Sequence, residues 1–160
     1  MRIIVISDTH GNINNLKSVF LRNHDADLFI HLGDGERDLN TFLSDHTEYI
    51  DKTINVCGNC DMYSMSPGFV VLPISGHKIF ATHGHLFAVK NGLEIIKKNA
   101  KKNDCDIVLF GHTHVRCNRK EDGLFLLNPG SASYPNDSTK PSFGHIDLSS
   151  AGVVINIADV

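Results

Sequence analysis

Five times along these 160 residues an apolar run of strand length stops at a polar cluster in which glycine stands beside histidine, aspartate or asparagine. Arg2 to Ile6 stops at Ser7-Asp8-Thr9-His10-Gly11-Asn12, Ala26 to Leu32 at Gly33-Asp34-Gly35-Glu36, and Tyr49 to Val56 at Cys57-Gly58-Asn59-Cys60-Asp61. Lys78 to Thr82 ends at His83-Gly84-His85, and Asp106 to Phe110 ends at Gly111-His112-Thr113-His114. β-Branched apolar runs bounded by glycine read as buried strands, so each cluster is a loop delivered by a strand end. If the strands point the same way, the loops collect along one edge, where open α/β sheets place ligands. In an extended chain residues two apart share a face, so His112 and His114 are expected to aim two imidazoles into one space, with Gly111 leaving room for a close approach.

Helical spacing fills the gaps between the early strands. Ile13, Leu16, Val19 and Phe20 predict a first helix of about three turns, capped by Asn12 or Asn14. Leu39, Phe42 and Leu43 predict a second helix, and Leu93, Ile95, Ile96 and Ala100 a third. Later strands follow one another through tight turns: Phe69 to Ile74 with Lys78 to Thr82 around Ser75-Gly76-His77, Val115 to Arg119 with Leu124 to Leu127, and Phe143 to Leu148 with Val153 to Ile157. Alternation with helices favours parallel pairing and tight turns favour antiparallel pairing, so the expectation is an α/β fold of two mixed sheets packed as a sandwich with flanking helices. The length suits one domain spanning residues 1–160.

Composition removes several classes of function. The formal net charge is -3 and no basic block exceeds two adjacent lysines, so neither extended nucleic acid nor an anionic membrane is an expected partner. No apolar run approaches spanning length, and Met1 to Ile6 is too short for a signal peptide, which leads to a cytoplasmic expectation. In that reducing compartment Cys57, Cys60, Cys105 and Cys117 are expected as free thiols. Cys57 and Cys60 invite a redox or zinc-ribbon reading, but no second close pair exists and no helical pattern follows Cys60. Ten histidines are the compositional oddity. Of these, His24, His31, His46, His77 and His145 have no motif around them and read as structural or surface residues.

The collected loops offer Asp8, His10, Asp34, Asn59, His83, His112 and His114. Carboxylate, amide oxygen and imidazole suit manganese, iron, nickel, cobalt or zinc better than a soft ion. Seven ligands exceed the needs of one ion, whereas two ions roughly 3.5–4 Å apart, with a bridging carboxylate and a shared water, would use them all. Two divalent ions against two carboxylates stay net positive even with a hydroxide bound, which suits a phosphate anion.

In order, Asp8-Thr9-His10, Gly33-Asp34, Gly58-Asn59-Cys60-Asp61, His83-Gly84-His85 and Gly111-His112-Thr113-His114 resemble the blocks of the calcineurin-like metallophosphoesterases. The similarity is greatest to the small single-domain YfcE-type phosphodiesterases, which Asn128-Pro129-Gly130-Ser131 also resembles, and it covers essentially the whole chain. The resemblance implies that Asp8, His10 and His114 bind a first metal and that Asn59, His83 and His112 bind a second, with Asp34 bridging. Manganese or nickel is the first expectation, ahead of iron, cobalt or zinc. It implies hydrolysis of a small phosphate ester, a phosphodiester above all, by attack of a metal-bound hydroxide, with Asp34 and Asn59 as catalytic groups. Many members carry histidine after the asparagine, where it helps protonate the leaving group; Cys60 stands there instead. A thiol of ordinary pKa near 8.5 is a poor substitute, which makes His85 the second candidate for that role.

The alternative is a non-catalytic scaffold or protein-binding module on the same fold, as in the small retromer subunit. The filled ligand set favours the enzyme. Asn12, Arg37, Arg116 and Ser131 lie beside the blocks as further candidates for substrate contact, and Glu36, Arg37 and Asp38 read as a solvated first helical turn. A homo-oligomer is left open by the sequence.

Overall fold

The chain runs β1 (Arg2–Ile6), α1 (Ile13–Arg22), β2 (Leu28–His31), α2 (Glu36–Asp45), β3 (Thr53–Asn55), β4 (Phe69–Ile74), β5 (His77–Thr82), α3 (Glu94–Lys102), β6 (Ile107–Leu109), β7 (Cys117–Glu121), β8 (Leu124–Asn128), β9 (Ser142–Ser149) and β10 (Gly152–Asp159) in the computed structural model, which describes residues 1–160. The strands form two five-stranded sheets, ordered β10-β9-β1-β2-β3 and β4-β5-β6-β8-β7. β1, β2 and β3 run parallel, as do β5, β6 and β8. β9 joins β1 and β10 antiparallel, and β4 and β7 pair antiparallel with β5 and β8. Both sheets are therefore mixed.

Strand alternation explains the layers. In β1, Ile3 and Val5 face the second sheet and pack with Ile79, Ala81, Ile107, Leu109 and Leu127. The intervening Ile4 and Ile6 face outward, where Leu16, Val19 and Phe20 of α1 and Leu39 and Phe42 of α2 cover them. α3 seals the far side of the second sheet with Ile96 and Ala100 against Phe80, Val108 and Leu126. Each buried valine, leucine, isoleucine or phenylalanine among them contributes roughly 1.5–3 kcal/mol relative to exposure. α1 starts where expected, because the Asn12 side chain accepts the Asn15 N–H at 3.1 Å.

One expected strand is mostly not a strand. Thr47–Lys52 is a 3-10 helix, and only Thr53–Asn55 extends. The Tyr49 ring is drawn under the helices into an aromatic cluster with Phe20, Phe29 and Phe42, at centroid distances of 5.4, 5.6 and 5.4 Å. Lys52 lies 4.7 Å over the same ring and donates to the His24 carbonyl. Tertiary burial of one aromatic ring outweighs the extended preference of the segment. Two short 3-10 helices, His85–Phe87 and Val89–Asn91, also lie unforeseen between β5 and α3. No helix is long and apolar enough to cross a membrane.

Candidate metal centre

The five polar clusters follow the C-terminal ends of β1, β2, β3, β5 and β6, so both sheets deliver their loops to one edge. Backbone bonds lock these loops together. Asp8 and His10 donate N–H groups to the Gly33 and Asp34 carbonyls, each at 3.0 Å, and Gly111 donates to the His83 carbonyl at 2.9 Å. The His112 N–H reaches across the sandwich to Asp8 Oδ2 at 3.1 Å.

Asp8, His10, Asp34, His112 and His114 all have left-handed backbone, with φ between 43° and 68°. A non-glycine residue there costs of order 1–3 kcal/mol, and such strain concentrates where a side chain must be aimed at a function. It also refines the simplest reading of His112 and His114. β6 ends at Leu109, and the turn sends the two imidazoles into adjoining donor groups of one cluster rather than to a single position.

His114 joins Asp8 and His10. Its Nε2 lies 3.1 Å from Asp8 Oδ1 and 3.2 Å from His10 Nε2. His112 joins Asp34 and His83, with its Nδ1 3.1 Å from His83 Nε2. Asp34 stands between the groups, its Oδ2 3.7 Å from His10 Nε2 and 3.4 Å from His83 Nε2. Asn59 Oδ1 lies 3.2 Å from His83 Nε2. All seven expected ligands are thus in one cluster.

Proton accounting tests whether the cluster fits a cation. His83 Nδ1 donates to the Leu32 carbonyl at 2.8 Å and His114 Nδ1 to the Tyr134 carbonyl at 2.7 Å, which turns both Nε2 atoms inward. They face other imidazole nitrogens and carboxylate oxygens, and the fully buried Asp8 Oδ1 accepts no hydrogen bond. Electron pairs converging in this way require a positive charge between them. The histidines respond as groups short of one. Burial lowers His83, but the Asp34 hydrogen bond and the Asp8 and Asp34 charges within the cluster outweigh it and raise the group, while His114 is raised first by Asp8. Burial would raise the carboxyls of Asp34 and Asp8, yet the facing imidazoles hold both below the usual carboxylate range.

Cys60 and His85 flank this cluster. The Cys60 N–H donates to Asp34 Oδ1 at 2.7 Å, and its thiol is pushed up to about 11 by burial and then by Asp34. The His85 ring centroid lies 5.3 Å from that of His83; burial and then the His83 charge lower its pKa, and its Nδ1 is buried without a partner. All four cysteines are free.

Several residues that hold the site had no assigned role in the sequence. The Asp61 carboxylate accepts the N–H groups of Asp34, Gly35, Glu36 and Gly58 at 2.7, 3.0, 2.9 and 2.8 Å, clamping the loop after β2 to the loop after β3. Asp38 is buried rather than solvated, because it accepts Thr9 Oγ1 at 2.6 Å and the Gly11 N–H at 2.9 Å. Asn128 donates to the Gly111 carbonyl and Thr113 Oγ1, and buried Ser131 donates to the Asp8 carbonyl. Ser131 is therefore a brace and not a phosphate contact. Asn12 is occupied as a cap, and the Arg116 guanidinium is taken by Ser142, the Lys140 carbonyl and Asp159. Asp61 belongs to the Gly58-Asn59-Cys60-Asp61 cluster, but no spacing in the sequence announces a clamp on four amides. His24, His31, His46, His77 and His145 stay outside the cluster.

Residues 1–151 match the model of the calcineurin-like phosphoesterase superfamily domain. A probable metallophosphoesterase, YsnB of Bacillus subtilis, is 29% identical over 99% of this chain and 91% of its own length. Phosphodiesterase YfcE of Escherichia coli is 31% identical over 62% of this chain and 55% of its own. The crystal structure of a Streptococcus pneumoniae protein described as a predicted phosphoesterase superposes with a TM-score of 0.84 at 28% identity, covering 99% of this chain and 88% of that one. Zinc-bound Vps29 from Entamoeba histolytica shares the fold at 23% identity and a TM-score of 0.74, over 99% of each chain.

Proposed function

The chain belongs to the calcineurin-like phosphoesterase superfamily, and from that premise we propose that it is a phosphodiesterase working with two divalent metal ions. This reading is carried by three overlapping donor groups, Asp8 with His10 and His114, His10 with Asp34 and Cys60, and Asp34 with His83 and His112. In this reading Asp8, His10 and His114 would hold one ion and Asn59, His83 and His112 the other, with Asp34 between them and its Oδ2 facing both groups. Oxygen and imidazole donors favour manganese or nickel, with iron, cobalt and zinc next, over magnesium, which dehydrates reluctantly. Ions so held would supply Lewis acidity and a hydroxide nucleophile near neutral pH.

The residues of the chain do the rest. Asp34 sets the spacing of the donor groups and places negative charge between two cations. The Leu32 and Tyr134 carbonyls fix the tautomers of His83 and His114, so that the inward nitrogens are the ligating ones. Asn59 adds a neutral oxygen and keeps the site net positive for a phosphate anion. Proton supply to the departing oxygen is the weak step. In the metal-free chain burial and Asp34 push the Cys60 thiol up to about 11, and burial and the His83 charge lower His85, so neither group is poised as an acid near neutral pH before ions bind. The rate should then depend steeply on leaving-group acidity.

The test is a metal-screened assay of apo-protein against phosphomonoesters and a series of phosphodiesters differing only in leaving-group pKa, with bound metals counted. Expected are two ions per chain, manganese or nickel activity above magnesium activity, aryl diesters much faster than alkyl ones, and Asp34→Asn losing more activity than Asn59→Ala. Equal activity with magnesium would count against the ligand set. A flat leaving-group series would restore His85 as a working acid. The likeness to Vps29 motivates the scaffold alternative, which expects metal binding with no turnover of any ester.

A further inference from the structure

A cleft of about 830 Å³ adjoins the metal cluster at Cys60 and runs between α2 and the segment following β3. That volume lies within the roughly 300–1,000 Å³ of small-molecule sites, and a phosphate group alone needs far less. Its two banks differ chemically. One is the outer stripe of α2, where Arg37 and Asn40 stand at helical spacing opposite the buried Leu39 and Phe42. Arg37 makes no ion pair, unlike Arg2, Arg116 and Arg119. The other bank is Met62, Tyr63 and Met65, exposed by 77, 94 and 97%.

Three large apolar side chains in four residues, nearly wholly in water, form a patch that wants covering. Tyr63 is held in left-handed backbone at φ 62°, where a bulky side chain is unusual. Cys60, at the inner end of the cleft, donates its N–H to Asp34, so a group lodged in the cleft is continuous with one at the metal cluster. Tyrosine and methionine are soft, polarisable surfaces for a flat ring, and the amide of Asn40 and the guanidinium of Arg37 offer hydrogen bonds to a ring edge.

We propose that this cleft receives one ester arm of a phosphodiester, and that the arm carries a planar heteroaromatic ring of the nucleoside kind, stacked on Tyr63 between Met62 and Met65. The proposal rests on the phosphodiesterase reading, but its test separates the two. The chain has three methionines, and the third, Met1, precedes β1 at its end away from the metal cluster, a strand of about 17 Å at roughly 3.3 Å per residue. Metal-free protein labelled at the methionine methyls is titrated with thymidine 5′-(methyl phosphate) and, separately, with dimethyl phosphate. The thymidine ester should shift the Met62 and Met65 signals saturably and leave Met1 in place, while dimethyl phosphate should shift none. Tyr63→Ala and Arg37→Ala should each weaken that binding at least fivefold. With metal restored, the same variants should raise KM for thymidine 5′-(p-nitrophenyl phosphate) at least fivefold at near-constant kcat, and leave methyl p-nitrophenyl phosphate less affected. Unmoved methionines, equal shifts with dimethyl phosphate, or variants that bind as the parent does would overturn the proposal, as they would if the patch docks a protein instead. Ring binding without turnover would leave the cleft standing as a ring site and remove the phosphodiesterase reading.

Discussion

Asp61 shows how much of a site can depend on a side chain that serves only to hold the backbone around it. Burial by itself would raise its carboxyl, but the N–H groups of Glu36, Gly58, Asp34 and Gly35 hold it below the usual carboxylate range. Asp61→Asn replaces an acceptor oxygen by an amide donor among those four donors. A loss of about 1–3 kcal/mol of stability is expected from the unsatisfied amides, together with weaker metal retention as Asp34 loosens. Urea unfolding and metal titration check this; a variant with parental metal affinity would show that the clamp is not needed for aim. His31 gives a pH signature. It is fully enclosed, and burial first of all depresses its pKa below 6.5, against an opposing hydrogen bond from its Nδ1 to Asn55 Oδ1. The unfolded chain therefore takes up this proton at a higher pH than the folded chain does, so the stabilisation from a neutral His31 is whole above about 6.5 and is lost as pH falls. His83 and His114 are raised and act in the opposite sense, so the quantity to measure is a difference. Between pH 7.5 and 5.5 the parent should lose stability relative to His31→Gln, and parallel pH curves would reject the assignment.

At the scale of elements, the strands do more than form sheets. Parallel β1, β2 and β3 stop in register, so the loops after β2 and β3 cross close enough that only glycine fits. A Cβ at Gly58 would collide with Oδ1 and the backbone nitrogen of Asp34 and come within 2.8 Å of its Cγ. Gly58→Ala therefore has to move the central carboxylate. Overpacking of this kind costs typically about 1–3 kcal/mol, and the expected result is lower metal occupancy at a given ion concentration with little change in secondary structure. Metal analysis beside circular dichroism would decide it. Gly76→Ala is the control: an added Cβ there meets nothing within 4 Å, although its φ of 83° still strains the turn.

At the scale of the molecule, two sheets that each end at the same edge bring ligands 104 residues apart, Asp8 and His112, into one cluster. Such a site exists only in the folded chain, so ion binding is folding free energy. At a free ion concentration of 100 Kd each independent site should add about 2.7 kcal/mol to unfolding. We expect manganese or nickel to raise the single unfolding transition of residues 1–160, and chelation to lower it without altering the fold. Two separated transitions would contradict one cooperative domain, and indifference to metal would contradict the cluster as an ion site.

Local chemistry made much of this legible in the sequence. Apolar runs closed by glycine-bearing polar clusters specified the strands and the loops after them, because a buried strand and a polar turn have opposite compositions. Helical spacing specified α1, α2 and α3, and the oxygen and nitrogen character of the loops specified a cation. What only the tertiary structure decided is where each side chain points. Left-handed backbone at His112 and His114 divides the two histidines between adjoining donor groups of one cluster. Tyr49 becomes helical because three distant rings surround it. Asp38, Asp61 and Ser131 become braces because their partners come from other loops. Composition and spacing act between neighbours in the chain, whereas these outcomes depend on groups tens of residues apart that meet only once the two sheets have packed.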